Sequence, residues 1–139
     1  MSDKLIRAAL ETRLYAWATA RIPALPIAFE DVEFTPPSDG SPYLQAYLLP
    51  ANLDSTDLEG VHLLFQGVFQ ISIVTAAGNG TGAASAIADE LRALFPNNLR
   101  LVQSGLPVFV MTPLSTAAAI AGDTTTALPT SFRYRADTF

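Results

Sequence analysis

A glycine-rich stretch is the feature of this sequence that most invites a chemical interpretation. Gly78–Gly82 follows a run of alternating apolar residues and precedes a helical pattern, and many phosphate sites combine a strand, a glycine loop and a helix N-terminus. A P-loop also needs a lysine, but no lysine occurs after Lys4. A dinucleotide site needs an acidic residue about 20 positions later, where the next predicted strand offers Arg100 instead. We therefore expect a turn in which Thr81 caps the helix.

The remaining chemistry-bearing residues lack partners in the sequence. The chain has no cysteine, so disulfides, thiolate zinc sites and cysteine nucleophiles are excluded. It has one histidine, His62. Asp89 and Glu90 are adjacent on a predicted helix, so they point about 100° apart and do not form a carboxylate pair. Neither Ser104 nor Ser131 has a plausible base. The sequence therefore predicts no enzyme, no cofactor and no metal site.

Charge is sparse and unevenly distributed. Charged residues make up 15% of the chain, against about 25% in an average domain, so part of the apolar excess is expected to lie in subunit contacts. Residues 22–59 hold seven acidic residues and no lysine or arginine. These acidic residues are Glu30, Asp31, Glu33, Asp39, Asp54, Asp57 and Glu59. The net charge of −5 argues against binding nucleic acid by phosphate neutralisation.

Two segments predict amphipathic helices. Residues 3–21 repeat apolar side chains at helical spacing from Ile6 to Trp17, after a possible cap at Ser2 and before Pro23. Residues 84–95 show the strongest periodicity in the chain, and Pro96 ends it. The first segment lacks the apolar core of a signal peptide, and no run approaches the roughly 18 apolar residues of a membrane span. A soluble protein made in the cytoplasm is expected.

The rest of the chain predicts strands and a proline-rich arm. Strands are predicted at Tyr43–Leu49, His62–Thr75, Leu99–Gln103, Val108–Thr112 and Ser131–Ala136. Over Ala117–Ala121 the sequence weakly favours strand over helix. The arm, residues 22–42, holds five prolines and an extended piece around Ile27–Phe34. Gly67 is predicted to mark a bulge. The fold class is therefore α+β: one domain, residues 1–139, with two helices packed on one mostly antiparallel or mixed sheet and a β-rich C-terminal part.

In this arrangement the chain resembles the phage tail terminator family, related to the lambda-type tail terminator. The residues that carry the resemblance are Phe34-Thr35-Pro36-Pro37, Tyr43-Leu44, Gly67–Ile73, the Gly78–Gly82 loop, Ala88–Leu91 with Phe95-Pro96, and the strand Ser131–Tyr134. The likeness covers nearly the whole chain in element order. It implies a subunit that forms a homohexameric ring on the head-proximal end of the tail tube, stops tube polymerisation and offers the surface that joins the head.

The resemblance also implies partners: further copies of the chain, the tail tube protein and a head completion or connector protein, with DNA passing through the lumen. The candidate subunit or tube contacts are Phe34, Pro36, Pro37, Tyr43, Tyr47, Arg133 and Arg135. The candidate lumen or docking surface is acidic and comprises Glu30, Asp31, Glu33, Asp54, Asp57 and Glu59. Arg133 and Arg135 share a strand face, so they could pair with this acidic segment within a subunit or across an interface.

Three other functions remain open at this stage. A head–tail connector or neck protein would also form a ring, and only its binding position separates it from a terminator. A small-molecule or phosphate-binding α+β domain would use the Gly78–Gly82 loop. A plain dimeric α+β domain would be excluded by ring stoichiometry. The resemblance favours the tail terminator, in the virion tail after assembly and in the host cytoplasm before it. Two states before assembly stay open: a ring in solution, or a monomer until it meets the tube.

Overall fold

The computed structural model describes residues 2–51, 54–55, 63–78 and 80–138. Two helices and nine strands lie within these residues. They follow in the order α1 (Ser2–Ala20), β1 (Ile27–Phe29), β2 (Tyr43–Pro50), β3 (Asp54–Ser55), β4 (Leu63–Ala76), α2 (Gly82–Leu94), β5 (Arg100–Gln103), β6 (Leu106–Val110), β7 (Ser115–Thr116), β8 (Ile120–Ala121) and β9 (Thr125–Thr138). The α+β class predicted from the sequence is confirmed.

All nine strands belong to one mixed sheet with the order β1-β2-β4-β9-β6-β5. The short strand β1 runs parallel to β2, and every other pairing is antiparallel. The centre of the sheet is the pair β4 and β9, which are hydrogen-bonded over 14 residues each. Beyond β9 lie β6, β7 and β8 in succession, and β3 extends the sheet beside β4.

The core lies between the two helices and one face of this sheet. Phe69 of β4 and Phe132 of β9 face each other in the ladder, and both rings contact Phe95 at the end of α2, at centroid distances of 6.2 and 5.0 Å. Ile6 and Leu10 of α1 join the same buried cluster. Side chains alternate along a strand, so the residues between these core positions point away from the helices. We call this second surface of the sheet the helix-free face; Tyr47 of β2, Gln70 of β4 and Ser131 of β9 lie on it.

The helices end where their sequences predict. The apolar stripe of α1 is fully buried at Ile6, Leu10 and Leu14, and Trp17 packs against the core while partly exposed. The helix begins at Ser2 itself, one residue earlier than predicted. Thr81 occupies the N-cap position of α2, but its side chain makes no capping hydrogen bond, so that predicted bond is absent. The segment Ala117–Ala121 contains no helix and runs into β8.

The predicted extended piece Ile27–Phe34 is wrong beyond Phe29. The chain turns after β1, where the Val32 amide donates to the Phe29 carbonyl and Asp31 adopts φ 56°. Val32 is 61% exposed although its side chain is apolar. A left-handed residue ends a strand because it redirects the chain.

The predicted bulge at Gly67 is also wrong. Its pairing is continuous on both sides, with Pro50 of β2 and Tyr134 of β9. Close approach explains the glycine instead: a Cβ at this position would lie 2.5 Å from the Leu49 carbonyl oxygen and 2.7 Å from the Tyr134 hydroxyl. The position therefore accepts no side chain while the ladder stays regular.

Candidate functional site

The glycine loop forms the start of α2 and is exposed. Gly78 and Gly80 adopt φ values of 86° and 75°, and a Cβ on either would meet no atom within 4 Å. The loop is a left-handed connection of the kind glycine favours, without a close approach to other protein groups. Asn79 lies outside the described residues.

The acidic pair of α2 is engaged in ion pairs on the helix surface. Arg92 donates to Asp89 at 2.8 Å, one turn away along the helix. Glu90 accepts three bonds from Arg21, two from Nε at 3.0 and 3.3 Å and one from a terminal nitrogen at 2.9 Å, which ties the end of α1 to α2. The guanidinium hydrogen bond holds the pKa of Glu90 below its usual value, against the opposing effect of burial. Glu90 therefore links the end of α1 to α2, whereas the Asp89–Arg92 pair lies within α2.

The other candidates for chemistry are scattered. Ser104 and Gly105 form the two-residue turn between β5 and β6, with φ 49° and 82°, as a type I′ hairpin requires. Ser131 lies on the helix-free face of β9. Within the described ranges, no three His, Cys, Asp or Glu residues gather as metal ligands. His62 lies outside those ranges.

The arm folds against its own subunit through an aromatic contact. The rings of Phe34 and Tyr43 lie 5.1 Å apart at 36°. A turn follows, in which Asp39 accepts from the Ser41 amide and hydroxyl at 3.0 and 2.6 Å. Pro36 is exposed and Pro37 half-buried. The contact keeps the arm beside β2.

Tyr43 and Tyr47 both lie on the helix-free face. In the β2–β4 ladder Tyr43 is opposite Val74 and Tyr47 opposite Gln70. Both tyrosines are half-buried. They are therefore available for a contact on that face, as their assignment as candidate contacts requires.

Glu30 serves its own subunit. Its carboxylate accepts from Arg7 of α1 at 2.9 Å and from the Leu48 amide of β2 at 2.6 Å. Burial acts to raise the pKa of Glu30, but these two donors outweigh it, so the pKa lies below its ordinary value. Glu30 therefore joins the β1–β2 edge of the sheet to α1.

The other acidic candidates separate into two groups. Asp31 and Glu33 are exposed on either side of the exposed Val32. Asp54 lies in β3, but its side chain, like all of Asp57 and Glu59, is outside the described part of the structure. Their assignment to a lumen or docking surface stays a prediction.

The two arginines of β9 differ in their surroundings. Arg135 pairs with Asp137, two residues along the same strand, at 3.1 and 3.3 Å. Arg133 is exposed, and among the described residues its side chain has no acidic partner. Among the acidic residues of segment 22–59 whose side chains the structure describes, none pairs with Arg133 or Arg135.

Strand register reveals a further set of residues beside these arginines. Phe109 of β6 faces Arg135, Arg100 of β5 faces Phe109, and the Met111 amide donates to the Arg133 carbonyl. These side chains share the helix-free face with the two arginines. The proximity of Arg100 to Arg133 depends on the order of β5, β6 and β9 in the sheet. It could not be read from the sequence alone, since 33 residues separate the two arginines.

A cleft of about 560 Å³ opens where this set meets the ends of β2 and β4. Met111, Thr112, Arg133 and Arg135 line one side, and Gln66 and Val68 another. The Tyr134 hydroxyl is buried behind it and has no hydrogen-bond partner in the described part of the chain, and burial raises the pKa of Tyr134 to about 12.

Comparison with known proteins decides the family. The sequence model of the phage tail terminator protein family matches residues 5–134. The chain belongs to the phage tail terminator protein family. The resemblance drawn from the sequence is therefore confirmed, and the tail terminator chain is a structural component of a phage tail.

Structural comparison agrees on the fold. One solved structure, which carries no functional name, is 46% identical to this tail terminator chain over 98% of it and 96% of its own chain, with a TM-score of 0.84. Among the curated proteins, none matches the chain. No helix within the described ranges is long and apolar enough to cross a membrane.

Proposed function

We propose that this tail terminator forms a homohexameric ring on the head-proximal end of the tail tube. The ring covers the growing end of the tube, which removes the template for the next layer of tube protein. It then offers its outer surface to a head completion or connector protein. The observation that carries this proposal is the match to the tail terminator family over residues 5–134.

The surface of the subunit is consistent with extensive contacts. Leu49 and Met111, on or beside the helix-free face, expose 48% and 45% of their surface, and Val102 on the edge strand β5 exposes 53%. With a charged fraction of 15%, a free monomer would present an unusually apolar surface. Burial of such side chains against other subunits is the main driving force for assembly.

A closed ring requires two different surfaces on each subunit. The contact between neighbours is head-to-tail. The ring closes when a whole number of subunit-to-subunit rotations completes a full turn. The chain supplies two unlike surfaces, an acidic arm and a helix-free face with arginines. Acidic side chains that remain in the lumen would repel the DNA backbone, so DNA would pass without binding.

The proposal is tested by measuring mass and tail length together. Light scattering coupled to size exclusion, at two ionic strengths, gives the mass of the free protein, for which six times 14.8 kDa is expected if rings form in solution. Deleting the gene from its phage gives the second measurement, and tails of uncontrolled length are expected. A protein that stays monomeric at high concentration and whose deletion leaves tail length unchanged would contradict the proposal.

A further inference from the structure

We propose that the exposed acidic turn of one subunit docks on the arginine patch of the next, forming the contact between neighbours. The acidic turn is residues 31–33. The arginine patch is Arg100, Phe109, Met111, Arg133 and Arg135. The inference rests on the proposed ring and adds which two surfaces meet in it.

The charges of the two surfaces are equal in number and opposite in sign. Glu30 is paired with Arg7 and Arg135 with Asp137, so each pair is satisfied within its own subunit. This leaves two acidic side chains on the turn, Asp31 and Glu33. Arg100 and Arg133 remain on the patch, and neither has an acidic partner among the described residues. Two carboxylates without a basic partner among the described residues are thus available to two guanidinium groups of a second copy.

The apolar parts match as well. Val32 stands between the two acidic residues and is 61% exposed. On the patch, the exposed Met111 and half-buried Phe109 lie between Arg100 and Arg133 in the strand register. Each surface thus has an apolar centre with charged groups around it, which is the usual anatomy of a protein interface.

One subunit cannot satisfy both surfaces by itself. The turn follows β1, at one end of the strand order, whereas the patch occupies β9, β6 and β5 at the other. Strands are spaced about 4.8 Å apart, so β1 lies roughly 14 Å from β9 and 24 Å from β5 along the sheet. These separations exceed the Debye length of about 8 Å at physiological salt. A second copy is the partner that this chain itself supplies.

The geometry is that of a head-to-tail contact. Because the turn and the patch are different surfaces, a subunit that uses its turn on one neighbour keeps its patch for another. The cleft beside Met111 and Arg133 gives the turn a recess to enter. The Glu30 bonds to Arg7 and Leu48 hold the base of the turn, so little ordering entropy is lost on docking.

Charge reversal in two separate variants tests the contact. One variant carries Asp31→Arg with Glu33→Arg, and the other carries Arg100→Glu with Arg133→Glu. Each places like charges at every contact, so the concentration for half-assembly should rise at least about tenfold. Lys4→Glu and Asp123→Arg, exposed charges elsewhere, are matched controls and should assemble like the wild type. Melting curves check that every variant is folded.

Mixing the two variants gives the decisive result. Neither assembles alone, but in the mixture each acidic surface meets a basic one, so rings of alternating subunits should form. Assembly is measured by light scattering and by occupancy of purified tail-tube ends. If the wild type assembles but the variants do too, or if mixing restores nothing, the inference is overturned. If the variants form rings that fail to bind tubes, the patch faces the tube and the inference is overturned. If the wild type itself assembles neither in solution nor on tubes, the proposed ring fails first.

Discussion

Tyr134 lies directly opposite Gly67 in the β4–β9 ladder, with its hydroxyl oxygen 2.7 Å from the point where a glycine Cβ would stand. The tyrosine side chain therefore occupies the space that the glycine leaves. Leu49 and Pro50 of β2 close the same space from the other side, at 2.5 and 2.9 Å from that point. The three strands approach one another closely here, directly beneath the cleft of the arginine patch.

Gly67→Ala should destabilise the fold by about 2–3 kcal/mol. The added methyl group meets backbone atoms of β2, which cannot move away as the end of a side chain could, so the cost is that of overpacking. Urea denaturation measures the free energy of unfolding. Gly82→Ala is the control, because its Cβ meets nothing within 4 Å and alanine favours a helix, so a gain of about 0.5 kcal/mol is expected. Equal stability of the Gly67 variant and the wild type would contradict the close approach.

Tyr134→Phe should leave the free energy of unfolding at pH 7 unchanged or raise it by up to about 1 kcal/mol. The hydroxyl is buried without a partner, and removing an unsatisfied polar group relieves its desolvation cost. A loss of more than 1 kcal/mol would mean that the hydroxyl makes a stabilising bond.

The same tyrosine predicts a specific alkaline transition. Burial raises the pKa of Tyr134 from 10.0 to about 12, with Asp3 adding to it and Arg7 opposing it. Between these values the unfolded chain has lost the phenolic proton and the folded chain retains it, so stability falls as pH rises from 10 toward 12. The wild type should lose stability more steeply over this range than Tyr134→Phe. Parallel curves for the two proteins would contradict the raised pKa.

Glu30→Gln should cost about 1 kcal/mol at neutral pH, and this cost should shrink as the pH falls below 4.5 through the lowered pKa of Glu30. The amide oxygen can still accept from Leu48, but the ion pair with Arg7 is lost, and its contribution is modest because Glu30 is 34% exposed. Since the pKa of Glu30 lies below its ordinary 4.5, its stabilisation is present above that value and disappears as the pH falls through the lowered pKa. Denaturation curves at several pH values measure this. Glu33→Gln, at an exposed position, should change stability by less than about 0.5 kcal/mol, and a constant difference between Glu30→Gln and wild type at all pH values would refute the role of its charge.

Phe34→Ala should weaken assembly more than it weakens the monomer. Its ring packs on Tyr43 at 5.1 Å, a contact whose loss costs about 1 kcal/mol of folding stability, whereas displacement of the arm should raise the half-assembly concentration at least about tenfold. Thermal melting and light scattering measure the two effects. Tyr15→Ala, at an aromatic residue 58% exposed on α1, should assemble normally. Equal losses of folding and assembly would make Phe34 an ordinary core residue.

Local pattern accounts for much of the fold. The stripe from Ile6 to Trp17 and the repeat from Ala84 to Phe95 each fix which helix face meets the sheet, because burying that face dominates the stability of a surface helix. In β2 the alternation of side chains fixes the buried face, because Leu44, Ala46 and Leu48 all point into the core. Within the described residues, periodicity located both helices and the buried face of β2.

The length of β9 illustrates what local pattern misses. Thr124-Thr125-Thr126 resembles a turn, and Pro129 argues against a central strand because it lacks an amide donor. The structure places Pro129 opposite Ser72 of β4, with its carbonyl accepting from Ala117 on the other side. The nitrogen of Pro129 lies on the same side as this carbonyl, between β7 and β8, where no strand pairs with it. The lack of an amide hydrogen therefore removes no hydrogen bond to β4. This depends on pairings distant in the sequence.

The sequence predicts only part of the candidate assembly surface. It predicts that Arg133 and Arg135 share a face, because residues two positions apart on a strand point to the same side. Arg100 and Met111 join them only through the order of β5, β6 and β9, and the partner of Glu30 is set by how α1 crosses the sheet. Tertiary pairing thus decides which charges are paired within the subunit.

Arrest of tube growth by the purified protein tests the proposed function most directly. Tail tube protein is polymerised in the presence and absence of this tail terminator, and tube lengths and end structures are recorded by electron microscopy. The account predicts that growth stops and that a six-fold ring covers one end of each tube. Tubes that grow to the same lengths with bare ends would contradict it.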